Sequence, residues 1–394
     1  MIDLENLVSN GEGLYFSGVT SGAGLVVANA GDVDGDGVND ILIGNSIDGS
    51  TSNGTAYLVW GASVIADADG MIALDTLAAD GAGVVISGAD NEQLGGAVSS
   101  AGDVDGDGYD DVLIGARGAD VNGDVDAGAA YVFSGAALAA DTDGNVSAAT
   151  AVADGDAIIL RGINADDQAG YSISNLGDLD GDGYDDILIG APYNDDGALS
   201  AGSAYIVWGS AIESDADGVI DLGTIAADGT GVVLMSSEAS DLAGWSVSNA
   251  GDIDGDGIDD ILVGAWGMSS QSANVGENAA YVVWGAAIVD DVDGVIDFAS
   301  LESDGNGIPL LPQTDTYART GYSVSAAGDV DGDGYADILV SAYRADVGAD
   351  GYQDGEVYLI SGADLIPDPV TPLQETIEPA IEVPVPPVEP DGWA

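Results

Sequence analysis

Gly31-Asp32-Val33-Asp34-Gly35-Asp36-Gly37-Val38-Asn39-Asp40, followed by the apolar run Ile41-Leu42-Ile43-Gly44, is the stretch on which the fold turns. The same D-x-D-G-D-G-x-x-D string returns at Asp103 to Asp111, Asp178 to Asp186, Asp252 to Asp260 and Asp329 to Asp337. Each copy follows an alternating segment such as Tyr171-Ser172-Ile173-Ser174 and precedes a short apolar run such as Ile187-Leu188-Ile189-Gly190. The string therefore reads as the turn of a β-hairpin.

Residues of these types at this spacing suit calcium. Ca²⁺ is a hard cation that takes six to eight oxygens from carboxylates and backbone carbonyls. Aspartates at loop positions 1, 3 and 5 converge when the chain curls: Asp32, Asp34 and Asp36; Asp103, Asp105 and Asp107; Asp178, Asp180 and Asp182; Asp252, Asp254 and Asp256; Asp329, Asp331 and Asp333. Position 6 is always glycine, and the expectation is that the backbone turns too sharply there for a Cβ. Position 7 offers its carbonyl, from Val38, Tyr109, Tyr184, Ile258 and Tyr335, and position 9 closes the cage with Asp40, Asp111, Asp186, Asp260 and Asp337. An EF-hand instead closes with Glu at position 12 and is flanked by helices. Asp and Gly also form plain turns, but five copies in one phase with every Asp kept exceed what turn chemistry requires.

The motif starts at 32, 103, 178, 252 and 329, giving spacings of 71, 75, 74 and 77 residues. Each period holds four strand candidates, in the third repeat Tyr171 to Leu176, Ile187 to Gly190, Ala204 to Trp208 and Gly231 to Met235. A tyrosine recurs in the third strand: Tyr57, Tyr131, Tyr205, Tyr281 and Tyr358. No segment shows a convincing helical stripe. Four short strands per fixed period predict an all-β fold, a β-propeller of four-stranded antiparallel blades. The first residues align with a fourth strand, Gly13 to Gly18 matching Gly83 to Gly88, while the last repeat ends on its third strand, Val357 to Ile360. Hence the expectation is five blades, the ring closed by the N-terminal strand completing the last one and leaving no sheet edge exposed. The propeller is expected over residues 1–365. Eight of the eleven prolines lie in the last 28 residues, so 366–394 reads as a Pro/Glu-rich extended tail or linker.

The repeat resembles the FG-GAP repeats of integrin α-subunit propellers and their many bacterial relatives. Ala169-Gly170-Tyr171-Ser172-Ile173-Ser174, Gly177 with its Asp loop, and Gly190-Ala191-Pro192 carry the likeness. Only this repeat keeps Gly-Ala-Pro; others read Gly115-Ala116-Arg117, Gly264-Ala265-Trp266 and Ser341-Ala342-Tyr343. The resemblance implies calcium-dependent adhesion or extracellular recognition. Family propellers are usually seven-bladed, whereas five repeats stand here.

Composition bounds the rest. Of 394 residues, 70 are Asp or Glu and four are Arg, with no Lys or His, for a net charge of −66. Such a chain repels nucleic acid and anionic membranes at long range and suits a calcium-rich or salty medium. Hydrophobic residues make up 46% and mean hydropathy is +0.19, ample material for a core. Cysteine is absent, so metal ions would staple the loops that disulfides hold elsewhere. No apolar run is long enough to span a membrane. Met1-Ile2-Asp3-Leu4-Glu5 lacks the marks of a secretory signal, so the expectation is a trimmed start or another export route. Without His, Lys or Cys the usual nucleophilic triads cannot be built, and the expectation is a binding module rather than an enzyme. Two further readings are a structural subunit of a surface layer or fibre and a carbohydrate-active domain.

Two other residue sets stand out. Asp67-Ala68-Asp69-Gly70, Asp141-Thr142-Asp143-Gly144, Asp215-Ala216-Asp217-Gly218 and Asp291-Val292-Asp293-Gly294 read first as Asp-Gly turns and second as weak cation sites. On the face opposite the calcium loops fall all four arginines, Arg117, Arg161, Arg319 and Arg344, with Tyr193, Trp266, Tyr317 and Tyr343. This face is the candidate surface for a protein or carbohydrate partner, an acidic or sugar ligand, or self-association. The simpler expectation is that each Arg pairs with a nearby carboxylate such as Asp120 or Asp346. Trp60, Trp208 and Trp284 recur at one strand position and read as packing.

Overall fold

A computed structural model describes residues 13–18, 26–46, 52–67, 70–267, 279–311, 318–345 and 355–366. Strands β1 (Tyr15–Ser17), β2 (Val26–Gly31), β3 (Asp40–Asn45), β4 (Thr55–Val59), β5 (Met71–Ala73) and β6 (Gly83–Ser87) carry the chain through the first repeat. The second repeat holds β7 (Ala97–Gly102), β8 (Asp111–Ala116), β9 (Ala129–Phe133), β10 (Asn145–Ser147) and β11 (Ala157–Arg161). The third holds β12 (Ser172–Gly177), β13 (Asp186–Ala191), β14 (Ser203–Val207), β15 (Val219–Asp221) and β16 (Gly231–Met235). The fourth holds β17 (Ala243–Gly251), β18 (Asp260–Ala265), β19 (Ala279–Val283), β20 (Val295–Asp297) and β21 (Gly307–Leu310). The described strands of the last repeat are β22 (Thr320–Gly328), β23 (Asp337–Ala342) and β24 (Glu356–Ile360).

Within each of the first four repeats the four expected strands form an antiparallel sheet, β12-β13-β14-β16 in the third, and in the last repeat three described strands do. A strand the sequence did not reveal joins it: β20, from the following repeat, runs parallel to β16, with Leu234 opposite Ile296. β6 with β10 and β11 with β15 repeat this arrangement. Each short parallel strand has three residues, too few for a periodic signal. Helices of four to seven residues also appear, such as Gly209–Ser214 after β14 and Ala148–Asp154 before β11. They correct the expectation of no helix; one or two turns leave no readable stripe.

The core lies between consecutive sheets, because both faces of each central strand are covered. From β13, Leu188 packs with Ile261, Val263 and Val283 of the fourth repeat, while Ile187 and Ile189 pack with Leu113, Val132 and Leu160 of the second. That two-sided burial explains why β8, β13 and β18 are apolar runs rather than alternating ones. The inner strands stack in series: β2 on β7, β7 on β12, β12 on β17, β17 on β22.

The expected closure is not found among the described residues, where β1 and the last sheet are separate. β1 pairs in parallel with β5, Phe16 opposite Ile72, and Phe16 packs on the cluster of Tyr57, Leu74 and Leu77. β6, β11 and β16 take the same parallel partner while also pairing within their own sheets, so β1 pairs as a fourth strand does. Among the described residues the last sheet ends at β24, and β22 does not stack on β2 as its predecessors stack on one another. The tail lies outside the described residues.

Candidate metal loops and an aromatic arginine face

Each calcium-type loop joins the first two strands of its sheet, Asp178 to Asp186 linking β12 to β13. The Asp at position 1 accepts the position 6 N–H at 2.9–3.1 Å. The Asp at position 3 accepts the position 5 N–H at 3.0–3.1 Å, and the Asp at position 5 accepts the position 7 N–H at 2.8–3.1 Å. These bonds curl the loop around its own carboxylates. In all five loops one carboxylate oxygen from each of three aspartates comes within 4.8 Å of the others. The sets are Asp32, Asp34 and Asp36; Asp103, Asp105 and Asp111; Asp178, Asp180 and Asp182; Asp252, Asp254 and Asp260; and Asp329, Asp331 and Asp333.

These donors fit a hard divalent cation. Converging carboxylates repel unless a positive charge lies among them. Asp32 Oδ1 and Asp103 Oδ1 are buried and accept no hydrogen bond, a state a bound cation resolves. Burial pushes the carboxyls of Asp34, Asp105, Asp180 and Asp254 above the ordinary range. Burial also raises Asp40 to about 6 and Asp111, Asp186 and Asp260 to about 7.

The position 9 aspartate has a second task that sequence reasoning missed. Asp186 Oδ2 accepts the Leu179 N–H at 2.9 Å and its Oδ1 accepts the Gly209 N–H at 2.9 Å, where the helix after β14 begins. The other four do the same, Oδ2 to position 2 and Oδ1 to Gly61, Gly135, Gly285 or Gly362. A Cβ on Gly209 would lie 2.4 Å from the Asp185 carbonyl oxygen, so glycine is required there by contact. At position 6 the expected clash is corrected: the space beside Gly183 is open, and its φ of +100° is what excludes other residues.

Loops of adjacent repeats are also joined. Asp110 Oδ2 accepts the Asp32 N–H at 2.7 Å, and Asp185 Oδ2 accepts the Asp103 N–H at 3.1 Å. The position 7 tyrosines lean back: Tyr109 leaves no room for a Cβ on Gly35, nor Tyr335 on Gly255. Between the third and fourth repeats position 7 is Ile258, Gly181 is uncovered, and Asn249 bonds the Leu176 carbonyl at 2.9 Å instead.

In the second acidic set Asp141, Asp215 and Asp291 accept backbone N–H groups of their own turns, Asp143, Asp217 and Asp293 among the donors. Asp141 and Asp215 end the preceding helices. Among the described residues this set brings no three carboxylates together.

At the opposite ends of the strands the expected arginine face gathers around rings. The register sets Gly177 opposite Asp186 at the loop end and Ser172 opposite Gly190 at the other. There Tyr171 lies 4.5 Å from Trp245, Trp245 4.7 Å from Trp266, and Tyr322 4.7 Å from Tyr343 between ring centroids. Trp245–Tyr322, Trp266–Tyr322 and the edge contacts of Tyr193 make the network continuous. Arg319 stands 4.3 Å over Trp266 and 5.8 Å from Tyr343, Arg344 5.5 Å from Tyr343, and Arg117 5.2 Å from Tyr171. Hydrogen bonding from Arg344 lowers the Tyr343 phenol, and desolvation lowers Arg319. Among the described residues none of these three arginines has an ion-paired carboxylate; Arg117 Nε donates to Gln93 Oε1 at 3.1 Å. Pairing with Asp120 is thus corrected by cation–π packing, while Asp346 and Tyr317 lie outside the described residues. Arg161, at the end of β11 opposite Ala129, takes no part in the ring network. Sequence reading named Tyr193, Trp266 and Tyr343 but not Tyr171, Trp245 and Tyr322. The signal was the aromatic after glycine in Gly170-Tyr171, Gly244-Trp245 and Gly321-Tyr322. Trp60, Trp208 and Trp284 pack into the inter-sheet clusters as expected.

Comparison with known proteins shows what these repeats are similar to. The model of the FG-GAP repeat matches residues 95–133, 169–207, 243–284 and 320–360, each stretch enclosing one Asp loop. Integrin alpha pat-2 of Caenorhabditis elegans is 36% identical over 97 residues, 25% of this chain and 7% of that protein. Integrin alpha-5 of Xenopus laevis is 33% identical over 115 residues, 29% of this chain and 10% of its own length. Integrin alpha-7 of Rattus norvegicus is 29% identical over 185 residues, 47% and 14% respectively. The chain thus spans between 7% and 14% of these relatives' lengths. The loop at Asp32 lies outside the matched stretches yet has the same hydrogen bonds and hairpin. With four matched repeats, these relatives and the geometry that recurs in the five loops, residues 95–360 form an FG-GAP, integrin-α-like domain.

Proposed function

We propose that this chain is an extracellular calcium-binding propeller that serves as an adhesion, scaffold or recognition module and has no catalytic role. Residues 1–365 form five blades, and 366–394 a Pro/Glu-rich extension. Ca²⁺ is held in each loop by aspartates 1, 3, 5 and 9 and the position 7 carbonyl. Bound there, the ion supplies charge neutralisation and fixes the hairpin turn.

The observation that carries this reading is the convergence of three carboxylates in every one of the five loops. Calcium would rigidify one face while the opposite face presents its arginines and rings to a partner. Family membership supports adhesion by analogy. No helix among the described residues is long and apolar enough to cross a membrane. A second reading, assembly into a layer or fibre, is favoured by the exposed Val357 and Leu359 on β24 at the end of the array.

Equilibrium dialysis against micromolar Ca²⁺, with metal analysis of the retained protein, tests the module. Five ions per chain with preference over Mg²⁺ supports it. A chain that retains none rules it out.

A further inference from the structure

We propose that the ring network between the third and fifth repeats, with Arg319 and Arg344 at its edge, binds a saccharide bearing a carboxylate, such as a uronic acid unit. This rests on the recognition reading above and names its ligand class.

The first observation is charge placement. In a chain with 70 acidic residues, Arg319 and Arg344 have no carboxylate partner among the described residues and lie side by side over Tyr343. An arginine fork matches a carboxylate with two parallel hydrogen bonds. Among the described residues no carboxylate takes that place. The second is an indole donor. Trp266 is 7% exposed, and its Nε1–H finds no acceptor among the described residues. A buried donor of this kind calls for an oxygen. The third is ring exposure. Tyr322 and Tyr343 are 40% and 42% exposed and adjacent, and Tyr322 packs on Trp245 and Trp266.

The fold itself does not demand these rings. The second repeat builds the same sheet with Gly96 where later repeats have Tyr171, Trp245 and Tyr322. Flat rings accept the C–H face of a pyranose, the indole N–H suits a hydroxyl or ring oxygen, and the guanidinium groups take the carboxylate. The net charge of −66 disfavours dense polyanions at long range. The exposed rings of Tyr322 and Tyr343 favour a pyranose carrying a carboxylate over a run of acidic peptide side chains, which offers no flat C–H face.

The test uses the full chain saturated with calcium and follows its tryptophan fluorescence. The probes are trigalacturonate, neutral galactotriose and a tri-glutamate peptide, each at about 0.15 M salt, where charges beyond ~8 Å are screened. Saturable quenching by trigalacturonate, with the neutral sugar at least about tenfold weaker, is expected from one charge-assisted bidentate contact. Arg319→Gln and Arg344→Gln each weaken the acid sugar about five- to tenfold while leaving the neutral sugar and the melting temperature unchanged. Tyr322→Ala weakens both sugars. Equal binding of the two sugars overturns the proposal, as does stronger binding of the peptide. So does full affinity in the double arginine variant, which would assign binding to the calcium loops. Metal content measured on the same sample separates failures: a chain lacking calcium fails the module reading, whereas a loaded chain indifferent to the acid sugar fails only this inference.

Discussion

The aspartate at position 9 shows how one residue type can be required twice. Asp186 closes the loop in the proposed calcium site and ties it to the next helix by accepting two backbone N–H groups. Asparagine has one acceptor oxygen, so in Asp186→Asn one backbone N–H would face an amide NH₂. Losing that bond in a buried place costs about 1–3 kcal/mol. The expected outcome is a lower calcium-saturated melting temperature together with weaker calcium binding. Gly209→Ala probes the same junction from the other side, since its Cβ would lie 2.4 Å from the Asp185 carbonyl. Overpacking of this kind costs about 1–3 kcal/mol. Because Gly209 supplies no oxygen to the ion, calcium stoichiometry should hold while the melt drops; a changed stoichiometry would show that the junction also shapes the cage.

Hairpin loops and their partners decide how blades adhere to one another. Asp110 accepts the N–H of Asp32 at 2.7 Å, so the loop of the second repeat holds that of the first. Asp110→Ala should cost about 1 kcal/mol and Asp110→Asn less, since an amide oxygen can still accept; thermal melts of the two variants decide whether the contact acts through its acceptor. Replacing Asp103 and Asp105 together by Asn should lower the bound calcium by one ion, the other loops retaining theirs. Much of this scale was legible in the residues: the hairpin at each Asp string, the four main strands, the inter-sheet tryptophans. What escaped reading was short or held by distant contacts. Val219–Asp221 has three residues and becomes a strand only because Ile159–Arg161 lies alongside it. The helix Gly209–Ser214 has six residues, below the length at which an apolar stripe shows. Arg319 over Trp266 joins residues 53 positions apart, which no spacing rule reveals.

Taken as one body, the array sets a high charge against a serial core. Its sheets are glued pairwise by apolar clusters, while the carboxylates concentrate in loops along one face. The N-terminal strand was expected to close a ring; among the described residues it pairs with β5, as β6 pairs with β10, and joins no strand of the last sheet. Serial stacking makes stability a sum over neighbouring interfaces, so weakening every loop at once should loosen the whole chain. Five Ca²⁺ ions would offset ten of the 66 net negative charges, and those ten lie where repulsion is closest. Chelation should therefore lower the melting temperature and enlarge the radius of gyration seen by X-ray scattering. Raising sodium chloride from about 0.1 M to 1 M shortens the screening length from ~10 Å to ~3 Å. Salt should then recover part of the lost compactness but not the metal-specific share of the melt, because monovalent ions relieve repulsion without supplying a multidentate anchor. If salt alone restores the melt in full, the loops act as a diffuse charge and not as five built sites; if neither chelation nor salt moves either measurement, the apolar interfaces suffice without the ions.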